Sequence, residues 1–435
     1  MPDTIFALAS GAGLSAIAVI RVSGPDADAA LQSLCGSLPT PRHASLRKIR
    51  HPMTGQLLDE ALVLRFPGPG SFTGEDGFEL HIHGGRAVAA GVLAALGDCA
   101  GLRLAEPGEF ARRAYLNGKL DLTAAEGLAD LIEANTSAQR DQALALSGGL
   151  LRVQAEAWRS AIVSMQAQVE ADIDFADEGD VPVDVAAGLS ANIRGLSDAM
   201  SAALVDGRRG EVLRRGFTVV LAGAPNAGKS SLMNALVRRD VAIVSSIPGT
   251  TRDLIEVSLD LAGLPVTLVD TAGLREAGDE IEREGMRRTL ARAAAADLVL
   301  WLIAPDQTAV APPPGEAPVI VIATKADLGR FESGPEQALS LSVKSGAGLD
   351  ALLGLIEDRA RAALRPQEPV LMSHERHRLA VRDALASLGR IHPGVAIEVA
   401  AEELRLAARS LASIIGLVGP EDVLGEIFSR FCIGK

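Results

Sequence analysis

Eight residues, Gly223-Ala224-Pro225-Asn226-Ala227-Gly228-Lys229-Ser230, constrain this chain's fold more than any other stretch. They fit the pattern GxxxxGK[ST]. The run before them, Phe217 to Ala222, is apolar and β-branched, as a buried parallel strand must be. The run after them, Ser231-Leu232-Met233-Asn234-Ala235-Leu236, has helical spacing. Strand, glycine loop and helix are the context in which this pattern cradles phosphates. Glycines let backbone N–H groups close around the anion, and the helix N-terminus adds positive potential. Lys229 then reaches the β- and γ-phosphates and Ser230 ligates Mg²⁺. Asn226, Ala227, Gly228 and Ser231 complete the expected nucleotide contacts on this loop.

Four further stretches follow in the order a GTP-binding domain requires. Ser245-Ser246-Ile247-Pro248-Gly249-Thr250-Thr251 is placed as a switch loop, with Thr251 the candidate for closing over Mg²⁺. Asp270-Thr271-Ala272-Gly273 ends the strand-like run Leu264 to Val269. An aspartate there can hold Mg²⁺ through water, and the Gly273 N–H can meet the γ-phosphate. Thr324-Lys325-Ala326-Asp327 follows the run Val319 to Ala323, and Ser342-Val343-Lys344 follows Ala338 to Leu341. The Asp327 carboxylate can accept from guanine N1–H and the 2-amino group, donors that adenine lacks. Two positions depart from an ordinary regulatory GTPase. Thr324 stands where asparagine is usual, so base contacts and loop tethering are expected to weaken. Leu274 stands where a glutamine would orient water. From the residues alone, the acidic segment Glu276 to Glu284 supplies the candidates for that role.

The chain has 435 residues, room for two to four domains, and a mean hydropathy of +0.22 that permits a large core. No run of eighteen apolar residues and no basic start point to a membrane or a leader, so the expectation is a cytoplasmic protein with no membrane contact. Cys35, Cys99 and Cys432 have no metal-ligand spacing. A net charge of −13 argues against broad nonspecific nucleic-acid binding. The run Arg42 to His51 and the arginine pairs 112–113, 208–209 and 214–215 read equally as a local RNA surface or as solvated side chains. The first hundred or so residues alternate strand-like runs (Ala16–Val22, Ala61–Phe66, Phe78–His83) with turns and one helical run, Ala87–Leu96, the mark of an α+β domain. Helical periodicity then governs Leu122–Leu151, Val153–Val169, Ser373–Leu388 and Val399–Leu417. The nucleotide domain is therefore expected as an insertion in a helical domain.

These features resemble the MnmE (TrmE) family of tRNA uridine-modifying GTPases over essentially the whole chain. Besides the GTPase motifs, the resemblance rests on Ser71-Phe72-Thr73-Gly74-Glu75-Asp76, on Leu116-Asn117-Gly118-Lys119-Leu120-Asp121-Leu122, and on the terminal Phe431-Cys432-Ile433-Gly434-Lys435. It implies a multidomain α/β protein. An N-terminal α+β, folate-binding-like and dimerising domain spans 1–118, a helical domain 119–215 and 366–435, and an inserted P-loop GTPase domain with a doubly wound mixed sheet 216–365. It implies a homodimer that works with an FAD-containing partner, MnmG, on carbon 5 of the tRNA wobble uridine. The cofactors it implies are GTP, Mg²⁺, K⁺ and 5-formyltetrahydrofolate. By the same resemblance folate contacts fall on Arg21, Glu79, Lys119 and Lys435, and K⁺ on Asn226, Ser245, Ile247 and Thr250. The water-orienting carboxylate falls on Glu282, and Cys432 on a position proposed as reactive. As a lone cysteine near an apolar terminus, Cys432 reads equally as a small buried hydrophobe. The terminus is expected where the helical domain could carry it to a neighbour's pocket. The rival class is a switch-type ribosome-assembly or RNA-binding GTPase without modification activity. The nucleotide domain fits either, and the N-terminal domain and terminal Cys-Ile-Gly-Lys favour the first.

Overall fold

The computed structural model describes residues 3–11, 13–174, 185–239, 241–243, 256–270, 296–305, 317–329, 338–365, 370–418, 425, 427–429, 431 and 434. They form two compact units, Met1–Ala129 with Ala412–Lys435, and Asp130–Leu411. Among the described residues no helix is long and apolar enough to cross a membrane.

The first unit is built on a six-stranded sheet: β1 (Thr4–Leu8), β2 (Ile17–Ser23), β3 (Ser45–Arg50), β4 (Leu57–Phe66), β5 (Gly77–His83) and β6 (Leu102–Leu104). The order is β3-β4-β5-β2-β1-β6, antiparallel except where β6 joins β1. Period-two alternation sets the faces. Phe78, Leu80 and Ile82 of β5 are buried, whereas Glu79 and His81 are half-buried and His83 is exposed. The buried face packs with Ile20 and Val22 against Leu31 and Leu34 of α1 (Ala27–Cys35) and Val92 and Leu96 of α2 (Arg86–Gly97). On the other side, Ile5 and Ala7 pack on Phe110 of α3 (Glu109–Leu116). Arg113 of α3 donates to Glu109 at 2.9 Å and to Glu75 at 3.2 Å, and Asn117 donates to the Thr73 carbonyl at 2.7 Å. Ser23 meets Thr73 at 2.7 Å and Glu75 at 2.8 Å. The Ser71–Asp76 loop is thus pinned from β2 and from α3.

In the second unit, α4 (Leu122–Glu133, shared with the first), α5 (Ser137–Ser147), α6 (Leu150–Asp174) and α7 (Val185–Arg215) precede the nucleotide sheet. The chain turns at Gly216 (φ 88°) from α7 into β7 (Phe217–Gly223). There follow α8 (Lys229–Val237), β8 (Ala242–Ile243), β9 (Glu256–Leu261), β10 (Leu264–Asp270), β11 (Leu298–Ile303), β12 (Val319–Ala323), β13 (Leu339–Ser340) and α9 (Leu349–Leu364). The sheet order is β13-β12-β11-β7-β10-β9-β8, parallel from β13 to β10 and antiparallel beyond. Its core joins Val219, Leu221 and Leu268 to Leu232 and Leu236 of α8 and Leu352 and Ile356 of α9.

Two helices, α10 (Glu375–Gly389) and α11 (Ile397–Ile415), close the chain's return. A Cβ at Gly210 of α7 would collide with the Met372 carbonyl, so α7 and the returning segment touch backbone to backbone. Arg209 donates to the carbonyls of Leu364 and Arg365 at 3.3 and 2.8 Å, capping α9. The Gln142 amide donates to the Val370 carbonyl at 2.6 Å and accepts from its N–H at 3.2 Å. The chain therefore enters and leaves the nucleotide sheet through adjoining points on helices, the geometry of an insertion.

Candidate functional site

At the carboxyl end of β7 a Cβ on Gly223 (φ 141°) would collide with the Leu302 carbonyl. The loop then turns through Asn226 (φ 61°) and Gly228 (φ 95°) into α8. Lys229 is 8 % exposed, and its Nζ donates to the carbonyls of Gly223 at 2.8 Å and Ala224 at 2.9 Å. Burial pushes its pKa below the ordinary 10.5, against the pull of the Asp270 carboxylate. Ser230 donates to Asp270 Oδ2 at 3.0 Å, and Asp270 is 1 % exposed at the end of β10. A hydroxyl and a carboxylate converging beside a phosphate loop are the hard oxygen donors that Mg²⁺ takes. Asn226 and Ser231 are exposed, and Ala227 is buried.

The base loop lies at the same edge of the sheet, after β12. Thr324 is 2 % exposed, and its hydroxyl lies 2.7 Å from the Ala227 carbonyl and 3.0 Å from that of Ile303. One proton faces two acceptors, so the tether to the phosphate loop is kept by a hydroxyl in place of an amide. Lys325 adopts φ 56° and Ala326 N–H donates to the Leu341 carbonyl at 3.1 Å. This sets Asp327 against Ser342, whose hydroxyl donates to its Oδ1 at 2.6 Å. That bond, with the Lys344 charge, holds the Asp327 carboxyl below its usual range. Val343 and Lys344 lie in the turn that follows. The Ala227 carbonyl as partner for Thr324 was not readable in the sequence, since the two are far apart in the chain.

Ser245, Ser246, Ile247, Pro248, Gly249, Thr250, Thr251, Thr271, Ala272, Gly273, Leu274, Glu282, Cys432 and Lys435 lie outside the described residues. Of the K⁺ set, Asn226 is described.

In the N-terminal unit, register places Arg21 directly opposite Glu79. Arg21 Nε and Nη2 donate to Glu79 Oε1 at 3.1 and 3.0 Å, and His81 Nε2 lies 3.3 Å from Oε2. The guanidinium sits 5.4 Å from the Phe72 ring centre and 5.8 Å from that of Phe110, within cation–π range. Lys119 Nζ donates to the Pro69 carbonyl at 2.9 Å, at the base of the loop that carries Phe72. The structure thus brings Arg21 and Glu79 together and ties Lys119 to their flanking loop. Phe72, Phe110 and His81 were not singled out from sequence. Phe72 lies within the Ser71–Asp76 motif, which was the available signal.

A phosphate loop and a carboxylate-bearing base loop at the carboxyl edge of one mixed sheet, inserted among helices, define a P-loop GTP-binding protein. Residues 4–119 match the family model of the GTP-binding protein TrmE N-terminus, and residues 122–432 that of the MnmE helical domain. The chain is 55% identical over 437 residues to the tRNA modification GTPase MnmE of Methylorubrum populi, covering 100% of this chain and 98% of the relative. It is 54% identical over 443 residues to that of Methylobacterium sp. (strain 4-46), covering both in full. Across 33% of its length it also aligns with the G domain of the T. maritima FeoB iron transporter, 98% of which is covered, at 24% identity and a TM-score of 0.25. That last likeness is too slight to argue from. The chain belongs to the MnmE (TrmE) family of tRNA modification GTPases.

Proposed function

We propose that the protein is a K⁺-dependent GTP-hydrolysing enzyme. With an FAD-containing partner, MnmG, it installs an aminomethyl-type group at carbon 5 of the tRNA wobble uridine, using a folate one-carbon unit. The observation that carries this reading is the joining, in one chain of this family, of a GTP site to the Arg21–Glu79 pair under Phe72. The domain division that goes with it is 1–118, 119–215, 216–365 and 366–435.

In the GTP site, Lys229 holds its ammonium against two loop carbonyls, ready to exchange them for β- and γ-phosphate oxygens. Ser230 would hold Mg²⁺ directly and Asp270 through water, with Thr251 from the switch loop. Asn226 would hold K⁺ with Ser245, Ile247 and Thr250. When bound, the cations neutralise charge that develops between the β- and γ-phosphates. Leu274 cannot orient water, and Glu282 takes that role as a polarising carboxylate. In the N-terminal unit, Glu79 presents a carboxylate of the kind that accepts from a pterin's N–H groups. Lys119 and Lys435 supply cations for a glutamate tail. The open face of that sheet supports a homodimer. Leu46 and Leu62 are register partners in the row that includes His81, and they are 59% and 45% exposed. Ile17, 58% exposed, continues the surface.

GTP turnover measured in K⁺ and in Na⁺ at equal ionic strength tests the cation assignment. Hydrolysis is expected to be much faster in K⁺, because the smaller ion fits a K⁺-sized cage poorly. Equal turnover removes the K⁺ role. Calorimetric titration with 5-formyltetrahydrofolate tests the other pocket, and Glu79→Ala is expected to abolish the heat signal.

A further inference from the structure

Residues 67–70 lead from the end of β4 into the Ser71–Asp76 loop. Two cations converge on them at consecutive carbonyls. Lys119 Nζ donates to that of Pro69 at 2.9 Å, and Arg42 Nη2 donates to that of Gly70. Consecutive Cα atoms are about 3.8 Å apart, so both charges gather on one short stretch of backbone. Like charges brought together repel, and carbonyl dipoles offset that repulsion only in part.

Arg42 is built into this position. Its φ of 60° lies in the left-handed region, which strains a residue other than glycine. Its N–H donates to the Arg65 carbonyl at 2.9 Å, and its guanidinium stands 5.8 Å from the Phe66 ring centre. A Cβ on Gly70 would come within 3.0 Å of Arg42 Nη2, so that glycine keeps the approach open. The Lys119 stem lies along Gly74 (φ 81°), where a Cβ would stand 3.4 Å from its Cγ. Both cationic residues are exposed. Among the described residues neither pairs with a carboxylate, whereas the neighbouring Arg65 is matched by Asp28. A carboxylate is the stronger acceptor for a charged donor, so the carbonyls are exchangeable for one.

Pro69 and Phe72 are three residues apart, a reach of at most about 11 Å. Phe72 stands over Arg21, which holds Glu79. One loop therefore has an aromatic ring and a hydrogen-bonding pair at one end and two cations at the other. A folate has the same polarity, with a pterin at one end and carboxylates at the other. We propose that Arg42 joins Lys119 in a subsite for the glutamate end, and that Arg42 favours folates carrying a γ-linked polyglutamate tail over the monoglutamate. Each added glutamate brings one more carboxylate, and a guanidinium fork takes a carboxylate by two parallel bonds. This rests on the folate reading above and adds the specificity for its tail. Two cations suit a short carboxylate chain better than RNA, whose binding draws on several phosphate contacts.

Calorimetry on the full-length protein tests the assignment, with 5-formyltetrahydrofolate as its mono-, tri- and pentaglutamate. Wild type is expected to bind the pentaglutamate roughly tenfold or more tightly than the monoglutamate, the scale of one added charge-assisted contact. Arg42→Gln is expected to bring that ratio down to about one, and Arg42→Lys, which keeps the charge without the fork, to retain part of it. High salt is expected to shrink the wild-type ratio. Equal affinity of wild type for all three ligands overturns the tail specificity. So does an undiminished ratio in Arg42→Gln, including one in which all three ligands weaken alike, because Arg42 then only staples the loop. Weakened tRNA binding by Arg42→Gln with the ratio intact assigns the cation to nucleic acid instead. No binding of any folate by wild type overturns the folate reading itself, a result distinct from binding without dependence on tail length.

Discussion

Thr324 offers one hydroxyl proton to two carbonyl oxygens, Ala227 at 2.7 Å and Ile303 at 3.0 Å, and it is almost wholly buried. Thr324→Val keeps the shape and removes the donor to the Ala227 carbonyl, while the Ile303 carbonyl keeps the Thr324 backbone N–H at 2.8 Å; the lost bond costs about 1–3 kcal/mol. The expected result is a roughly tenfold or greater loss of GTP affinity in a fluorescent-nucleotide titration, with Thr324→Ser near wild type. Undiminished binding by the valine variant would show that the hydroxyl does not order the phosphate loop. Asp327 is the neighbouring test of base reading. Asp327→Asn exchanges an acceptor pair for one acceptor and one donor, which suits xanthine's carbonyl better than guanine's amine. Competition between GTP and XTP is expected to shift toward XTP by orders of magnitude. A retained GTP preference removes this loop from base recognition. Glu282→Ala is expected to lower kcat by roughly 10²-fold or more with little change in nucleotide affinity. Single-turnover hydrolysis in K⁺ at the wild-type rate would assign the water to another residue.

The helix α3 carries the charge network of the N-terminal unit, and that network gives a pH dependence of definite sign. Burial raises the Glu109 pKa, but hydrogen bonds from Arg103 and Arg113 outweigh it and hold the group below its ordinary 4.5. A carboxylate with a depressed folded-state pKa contributes stability above 4.5 that is lost as pH falls through the folded value. The thermal midpoint of the N-terminal unit is therefore expected to drop below about pH 4.5. Glu109→Gln should lower the midpoint at neutral pH and flatten that acid limb. An unchanged acid limb would place the sensitivity elsewhere. At the turn between β9 and β10, Gly263 (φ 84°) accepts from the Ala138 N–H at 3.1 Å, and a Cβ would collide with the Ser137 hydroxyl at the start of α5. Gly263→Ala is expected to destabilise the second unit by at least the 1–2 kcal/mol of a strained left-handed residue, read in urea unfolding. Stability equal to wild type would mean that the hairpin is not held on α5.

Legibility in the sequence followed the distance between the groups concerned. The phosphate loop was readable because strand, glycines and helix are contiguous, and β7, β10 and β12 announced themselves as apolar runs ending in motifs. β2 and β5 showed their alternation. By contrast β6 is three residues long, and β11, Leu298–Ile303, is an apolar run with no motif and no alternation to separate strand from buried helix. The Arg21–Glu79 pair spans 58 positions and exists only through the β2–β5 register, so the resemblance named both residues while their mutual bond awaited the fold. The contact of Gly434 with β1 is longer-range still, since nothing near Gly434 in sequence records the Leu8 carbonyl it rests on. What unites the two units in one reading is the proposed chemistry on tRNA, and that claim has a direct test. Nucleosides from the wobble position of tRNA are analysed by mass spectrometry in cells lacking this gene, then in the same cells carrying wild type or Lys229→Met. The expected result is loss of the carbon-5 modification on deletion, full return with wild type, and no return with the variant that cannot hold the phosphates. Wobble uridines that stay fully modified in the deletion cells would contradict the proposed function.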